Sequence, residues 1–220
     1  MIGKEIDLLR KYPRSQRNLQ ERLEKKSDNV RHIARKFGFE YFDGDRNHGY
    51  GGFNYNPRYW SEVVQDFIKE YRLNSNSLVL DVGCAKGFFL YDLMLAVPGI
   101  RVTGVDVSEY AVSNALPEVR ENLSVGNATQ LDFADSSFDL VVSINTIHNL
   151  DRKDCKSALT EIERVAKSHA FITVDAYRND EEKARMEAWN LTALTMMSDA
   201  EWKKFFEEAG YTGDFYWFIP

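Results

Sequence analysis

Cysteine is scarce in this chain: Cys84 and Cys155 are the only two among 220 residues, and neither belongs to a C-x-x-C pair. A disulfide framework and a zinc knuckle are thereby excluded, and a reducing cytoplasm is the expected compartment. Long apolar runs are missing too. None approaches the ~20 residues that span a bilayer, and Met1 to Asp7 lacks the apolar stretch of a secretory signal. An excess of positive charge is also absent. The net charge of -6 disfavours a bulk nucleic-acid binder. No internal repeat or low-complexity tract occurs. What remains, 44% hydrophobic and 28% charged residues, can build one large buried core.

The chain changes character along its length. Residues 1 to about 38 are strongly charged and read as helix, with Leu19, Leu23, Val30, Ile33, Ala34 and Phe37 forming an apolar stripe. Arg17, Arg22, Lys25, Lys26, Arg31, Arg35 and Lys36 make this stretch basic. The plain reading is a helical cap with a solvated face; the sharper one is a face for an acidic substrate or partner. Residues 38 to 60 carry glycines at 44, 49, 51 and 52 and aromatics at 41, 42, 50, 53 and 55. Such glycines do not sit in a helix interior, and so many aromatics belong over something rather than in water. From about 59 onward helix and strand alternate. Short apolar strands are expected at 77–82, 101–106, 123–125, 138–144 and 170–175, and a final one after Gly210. Apolar strands separated by helices predict an α/β, doubly wound, mostly parallel sheet of about six or seven strands with helices on both faces. We therefore expect an N-terminal cap and lid loop over 1–58 and a core over 59–220, with a helical insertion at about 180–197. Only one strand follows Gly210, so the sheet either lacks a strand or has its edge covered by another segment or subunit. A homodimer is one consequence.

Asp81-Val82-Gly83-Cys84-Ala85-Lys86-Gly87 lies where the first core strand hands over to a helix, and open α/β sheets bind ligands at that edge. Asp106 ends the second strand, where a carboxylate can accept hydrogen bonds from both ribose hydroxyls of a nucleoside. The dinucleotide pattern G-x-G-x-x-G fits poorly: aligned on Gly83, Ala85 and Phe88 replace the second and third glycines. Asp81 would also repel phosphate, but it suits a cation. S-adenosylmethionine combines an adenosine, a sulfonium and an ammonium without phosphate, and fits better.

The segment Leu78 to Gly87 resembles motif I of the class I S-adenosylmethionine-dependent methyltransferases, and Gly104-Val105-Asp106-Val107-Ser108 resembles their second motif. Asn127 to Phe133, followed by Ser137-Phe138-Asp139-Leu140-Val141, resembles the segment that holds the adenine. The likeness covers roughly residues 60 to 219 and is nearest to the small-molecule type 11 branch. It implies a Rossmann-like fold and S-adenosylmethionine as cofactor, with S-adenosylhomocysteine as product. By matching position, Gly83, Cys84 and Gly87 would line the methionine moiety and Asp81 would hold its ammonium. Asp106 would bind the ribose, Val107 would pack on the adenine, and Asn127, Ala128 and Asn145 would complete the site. Asn127 stands where the family more often has Asp, but an amide carbonyl can also accept from the adenine amino group.

A hydroxyl or ammonium acceptor needs a base near the transferred methyl. The loop after the fourth strand supplies His148, which titrates in the useful range; Asp175 at the fifth strand's end is the alternative, and packing is the plain role for the histidine. Asn145 and Asn149 are poor metal ligands, so no metal is expected. Asp43, Asp45 and His48 read as turn formers. Lys86 either faces the methionine carboxylate or is solvated. Tyr50, Arg46, Tyr177, Arg178 and Trp189 are candidates for the acceptor site, the two arginines as holders of a carboxylate or phosphate or as ordinary ion-pair partners. The stretch Tyr41 to Tyr55 would act as a lid that excludes water. The reading is methyl transfer to oxygen or nitrogen of a small polar molecule, such as a sugar derivative or biosynthetic intermediate. The rivals are an RNA or protein methyltransferase that uses the basic N-terminal helices, and a non-catalytic S-adenosylmethionine-binding protein.

Overall fold

The computed structural model describes residues 1–14 and 18–220; Arg17 of the basic stretch lies outside the described residues. In chain order the elements are α1 (Leu19–Lys25), α2 (Asp28–Ala34), α3 (Phe39–Phe42), α4 (Val63–Tyr71), β1 (Leu78–Val82), α5 (Phe88–Ala96), β2 (Arg101–Asp106), α6 (Glu109–Ser113) and α7 (Pro117–Arg120). Then follow β3 (Leu123–Val125), β4 (Phe138–Ile144), a 3-10 turn (Ile147–Asn149), α8 (Arg152–Val165), β5 (Ala166–Tyr177), α9 (Asp180–Trp189), β6 (Met197–Ser198), α10 (Asp199–Ala209) and β7 (Asp214–Phe218).

The strands run β3-β2-β1-β4-β5, and both β6 and β7 pair with β5. Every pairing among the named strands is parallel, as expected where covering helices bury both faces. Strand alternation splits the core in two. Leu80, Val82, Val141 and Ile172 meet Leu159 and Ile162 of α8 and Trp202 and Phe206 of α10. Val79, Leu140, Val142 and Phe171 point the other way, to Val64 and Phe67 of α4 and Leu90 and Leu93 of α5. The apolar residues of the central strands alternate between these two buried clusters, so neither face of the sheet centre is open.

Helix ends follow local chemistry. Ser198 and Glu201 form the expected reciprocal capping box on α10: the Ser198 hydroxyl accepts from the Glu201 amide at 3.3 Å, and the Glu201 carboxylate accepts from the Ser198 amide at 2.8 Å. Gly210 ends that helix in the left-handed region.

The N-terminal stretch departs from the expected helix. Among the described residues there, 19–25 and 28–34 are helical, while residues 3–6 lie along β7. The Ile6 amide donates to the Phe215 carbonyl at 2.9 Å, and the Phe215 amide donates to the Lys4 carbonyl at 3.1 Å. Of the alternatives open for this edge, another segment of the chain covers it: residues 3–6 lie along β7. Arg10 and Lys11 then anchor to the buried Asp66 of α4.

Candidate functional site

The glycine turn is shaped by three local constraints. The Gly83 amide donates to the Val105 carbonyl at 2.7 Å, tying the turn to β2. Gly83 has φ +89°, and a Cβ there would overlap the Thr146 side chain from the loop after β4. Gly87, at φ +74°, starts α5, and its missing Cβ leaves room for Leu123 and Val119. Packing against Leu123 and Val119 is thus one reason for a glycine at this position. Cys84 points likewise inward, beneath Gly104.

Asp106 closes the turn from the side. One carboxylate oxygen accepts from the Ala85 amide at 2.7 Å and the other from the Ser108 amide at 2.8 Å. Each oxygen keeps a second lone pair for a ribose hydroxyl. Burial raises the Asp106 pKa above the usual carboxylate range, against the pull of those two amides.

Asp81 is different. It is only 5% exposed, yet no described residue hydrogen-bonds or ion-pairs with its carboxylate. Burial, and then the neighbouring charge of Asp106, push its pKa up to about 8. A buried carboxylate without a partner is costly, and an ammonium placed beside it would remove the cost. From Asp81 the more accessible residues trace a trough along the strand ends: Gly83, Ala85, Asp106 and Ala128 are half-buried, while Val107, Asn127 and Asn145 are exposed. The side chain of Val107, 60% exposed, is free to lie on a flat ring. The Asn127 carbonyl oxygen of the side chain accepts from the Thr129 amide at 3.0 Å, which fixes the amide group at the trough's end. Asn145 has φ +53° and exchanges hydrogen bonds with Thr173. This trough fits S-adenosylmethionine: a lone carboxylate for the ammonium, a pre-set carboxylate for the ribose, and an apolar shelf for the adenine.

Beyond the trough, the structure brings the two candidate bases together. The ring Nδ1 of His148 accepts from the Asp175 amide at 3.1 Å, so the ring proton sits on Nε2. That Nε2 lies 3.6 Å from Asp175 Oδ1. Asp175 Oδ2 accepts from the Asn190 amide group at 2.7 Å, and the Trp202 indole donates to the Asp175 carbonyl at 2.9 Å. Burial lowers the His148 pKa, only partly offset by Asp175. A neutral imidazole with Nδ1 engaged and Nε2 protonated has no lone pair to offer an acceptor. The buried Asp175 carboxylate does.

The lid lies over these parts. Asp43 Oδ2 accepts from Lys86 Nζ at 2.7 Å and from the Tyr110 hydroxyl at 2.6 Å, and its Oδ1 accepts from the Phe53 amide at 2.8 Å. Lys86 is neither solvated nor placed for a ligand carboxylate: it is buried and latches the lid to the glycine turn. The Tyr55 hydroxyl donates to Asp92 of α5 at 2.5 Å. Tyr41, Phe42, Tyr50 and Phe53 pack ring on ring, and Phe53 stacks on Phe88 at 4.9 Å. Burial first, and then the neighbouring Tyr50 and Asp175, hold the Tyr41 pKa well above the ordinary value.

The other candidates are scattered. Arg178 is held by Glu182, with contacts of 2.7 and 3.1 Å, and points along α9. Tyr177 carries Lys183 over its ring, and Trp189 packs on Phe218. Arg46 sits at the lid tip in a cleft with α1. The basic N-terminal residues grip the segment after α9: Arg22 donates to the Trp189 carbonyl at 2.6 Å, Lys26 to the Asn190 carbonyl at 2.9 Å, and Arg35 to the Thr192 and Ala193 carbonyls at 3.1 Å each. Sequence reasoning placed Asn190 and Thr192 in the insertion around the acceptor and read Asp43 only as a turn former; it did not single out Tyr110, whose partner Asp43 lies 67 positions away.

Residues 80–174 match the family model described as a methyltransferase domain. A demethylmenaquinone methyltransferase of Roseiflexus is 34% identical over 96 residues, covering 42% of this chain and 40% of the relative. An O-methyltransferase of Aspergillus nomiae is 33% identical over 103 residues, covering 44% of each. The chain thus spans less than half the length of these curated relatives. Among solved structures, the complex between the Haloferax volcanii Trm112 methyltransferase activator and a methyltransferase matches with a TM-score of 0.55 and 26% identity, over 67% of this chain and 66% of that one. No helix among the described residues is long and apolar enough to cross a membrane. With motif, trough and topology in agreement, residues 80–174 form a methyltransferase domain of the class I S-adenosylmethionine-dependent family, type 11 branch.

Proposed function

We propose that the protein transfers a methyl group from S-adenosylmethionine to an oxygen or nitrogen of a small polar metabolite, such as a sugar derivative or biosynthetic intermediate, in the cytoplasm. The observation that carries the reading is Asp81, a buried carboxylate with no partner among the described residues, from which accessible strand-end positions lead to Asp106 and Val107. When bound, the cofactor supplies an electrophilic methyl on a sulfonium, open to in-line displacement. Asp81 holds the ammonium, Asp106 the ribose hydroxyls, and Val107 one face of the adenine.

The residues around Asp175 do the remaining work. Asp175 takes the proton released by the acceptor atom, while His148 and Asn190 position it through the Asp175 amide and Oδ2. The lid excludes water, and the Tyr41 hydroxyl orients the acceptor from above. Alignment and dryness are the main demands of this displacement. Supporting this reading over an RNA-binding one, Arg22, Lys26 and Arg35 donate to carbonyl groups of the chain itself.

Calorimetric titration of S-adenosylhomocysteine into wild type and Asp106→Ala tests the reading. Binding in wild type that collapses in the variant supports it. No binding by wild type at millimolar ligand overturns it and promotes a protein that keeps the fold without the reaction.

A further inference from the structure

The lid is rooted on both banks of the cofactor trough. On the bank that follows β2, the Ser108 hydroxyl donates to the Phe37 carbonyl, two residues beyond Asp106. On the bank that follows β1, Phe53 stacks on Phe88 at the start of α5, and the Tyr55 hydroxyl donates to Asp92. Between the two roots lies the crossing where Asp106 accepts from the Ala85 amide. Lys86, the next residue, carries the bond that ties the lid down over this crossing.

Asp43 is the centre of the arrangement. Its Oδ2 accepts from Lys86 Nζ at 2.7 Å and from the Tyr110 hydroxyl at 2.6 Å, and its Oδ1 accepts from the Phe53 amide at 2.8 Å. Lys86 belongs to the glycine turn, Tyr110 to the helix behind Asp106, and Phe53 to the far root of the lid. One carboxylate thus joins the two banks to each other and to the strap that crosses them. The Lys86 side chain is 6% exposed, and Asp43 is its one ion-pair partner among the described residues. Charge-assisted bonds are strong and, when buried, little screened by salt. None of the three donors is among the groups assigned to the cofactor, so these bonds hold the lid and not the ligand.

Resting on the reading of the trough as an S-adenosylmethionine site, we infer that Asp43 is a positioning residue that gates cofactor exchange. S-adenosylmethionine enters, and S-adenosylhomocysteine leaves, after the bonds from Lys86 and Tyr110 to Asp43 break and the lid lifts. The same bonds shut the lid whether or not a ligand lies beneath it. Weakening them therefore speeds entry and release by the same factor and leaves the equilibrium affinity where it was, because both the free and the bound shut states lose the same free energy. A residue that touches the ligand behaves otherwise: its loss changes release and affinity together.

The test follows binding and release of tritiated S-adenosylhomocysteine by the full chain, using rapid filtration. In wild type the observed association rate should level off with rising ligand, at the rate of lid opening; a rate that climbs linearly to the highest concentration overturns the gate. Asp43→Asn keeps the shape of the side chain and removes the charge that faces Lys86. Association at low ligand and dissociation should both become about tenfold faster, the usual loss for one charge-assisted bond, with Kd kept within about twofold. Tyr110→Phe should move both rates in the same direction by a smaller factor, and it decides the matter, together with the wild-type plateau, if Asp43→Asn lacks native circular dichroism. Faster release with unchanged association places Asp43 among the ligand contacts and overturns the gate, as do unchanged rates in both variants. Failure of wild type to bind S-adenosylhomocysteine at millimolar concentration would instead overturn the cofactor reading.

Discussion

The proposed cofactor side and the proposed acceptor side of this molecule are built by opposite means. On the cofactor side, the contacts that shape the trough run between neighbouring strand ends: Asp106 reaches Ala85 and Ser108, and Gly83 reaches Val105. On the acceptor side, the contacts join the two ends of the chain: Arg22 to Trp189, Lys26 to Asn190, Arg35 to Thr192. The first kind is a turn with fixed spacing, which any chain needing that ligand must reproduce. The second is a meeting of an N-terminal segment with an insertion, which can be rebuilt for each acceptor without disturbing the turn. The same superfold can host many chemistries for this reason.

One residue bridges the two sides, and breaking it should have the largest effect. Asp43→Ala leaves the Lys86 ammonium buried without its carboxylate. We expect a loss of about 3 kcal/mol of stability, in the range for removing one partner of a buried pair, measured by urea unfolding. Limited proteolysis should then cut within the lid; a lid as resistant as in wild type would mean that its ring packing holds it without the latch.

Within the cofactor side, Asp106→Ala should lower S-adenosylhomocysteine affinity about a hundredfold, because two hydrogen bonds to a charged acceptor are lost at roughly 1.5 kcal/mol or more each. Its effect on hydrogen exchange of residues 190–195 should be negligible if the two sides are separately built.

The pH dependence sharpens the contrast next. The Asp81 pKa is raised in the folded chain, to about 8, against roughly 3.9 when unfolded. Its neutral form is thus favoured by folding: the contribution to stability is full below the unfolded value and is lost as pH rises through about 8. An ammonium beside Asp81 reverses this preference. S-adenosylhomocysteine affinity should therefore climb with pH, by up to about tenfold per unit below that pKa, and level off above it. Calorimetry in two buffers of different ionisation enthalpy should register proton release near pH 7. A flat profile would remove Asp81 from the ammonium site.

The smallest effect belongs to the acceptor side. Arg35→Gln removes two hydrogen bonds to the Thr192 and Ala193 carbonyls. A cost of about 1–2 kcal/mol is expected, read as faster amide exchange in residues 190–195 with the glycine turn unchanged. Equal loss of protection in both places would show that the two sides fold as one unit.

What the sequence by itself determined is the sheet, the glycine turn and the aspartate that closes it. Their signals are short-range: apolar runs of strand length, glycines at positive φ, a capping box at Ser198, and an aspartate at a strand end. Each is fixed by the backbone geometry of a few consecutive residues, so spacing carries it. Even there, the protein neighbours of Gly87 and Cys84, Leu123, Val119 and Gly104, came only from the fold, because spacing cannot tell which neighbour a missing or small side chain accommodates.

Only the tertiary structure decided the rest. The edge beyond β7 is closed by residues 3–6, whose charged composition reads as helix; an extended segment pairing through its main chain needs no side-chain pattern to announce it. Lys86 became a latch, Arg178 a partner of Glu182, and His148 a support for Asp175. A charged or polar side chain takes whichever partner the fold brings within about 3 Å, the reach of a hydrogen bond. When that partner lies dozens or more than a hundred positions away, no local pattern records it.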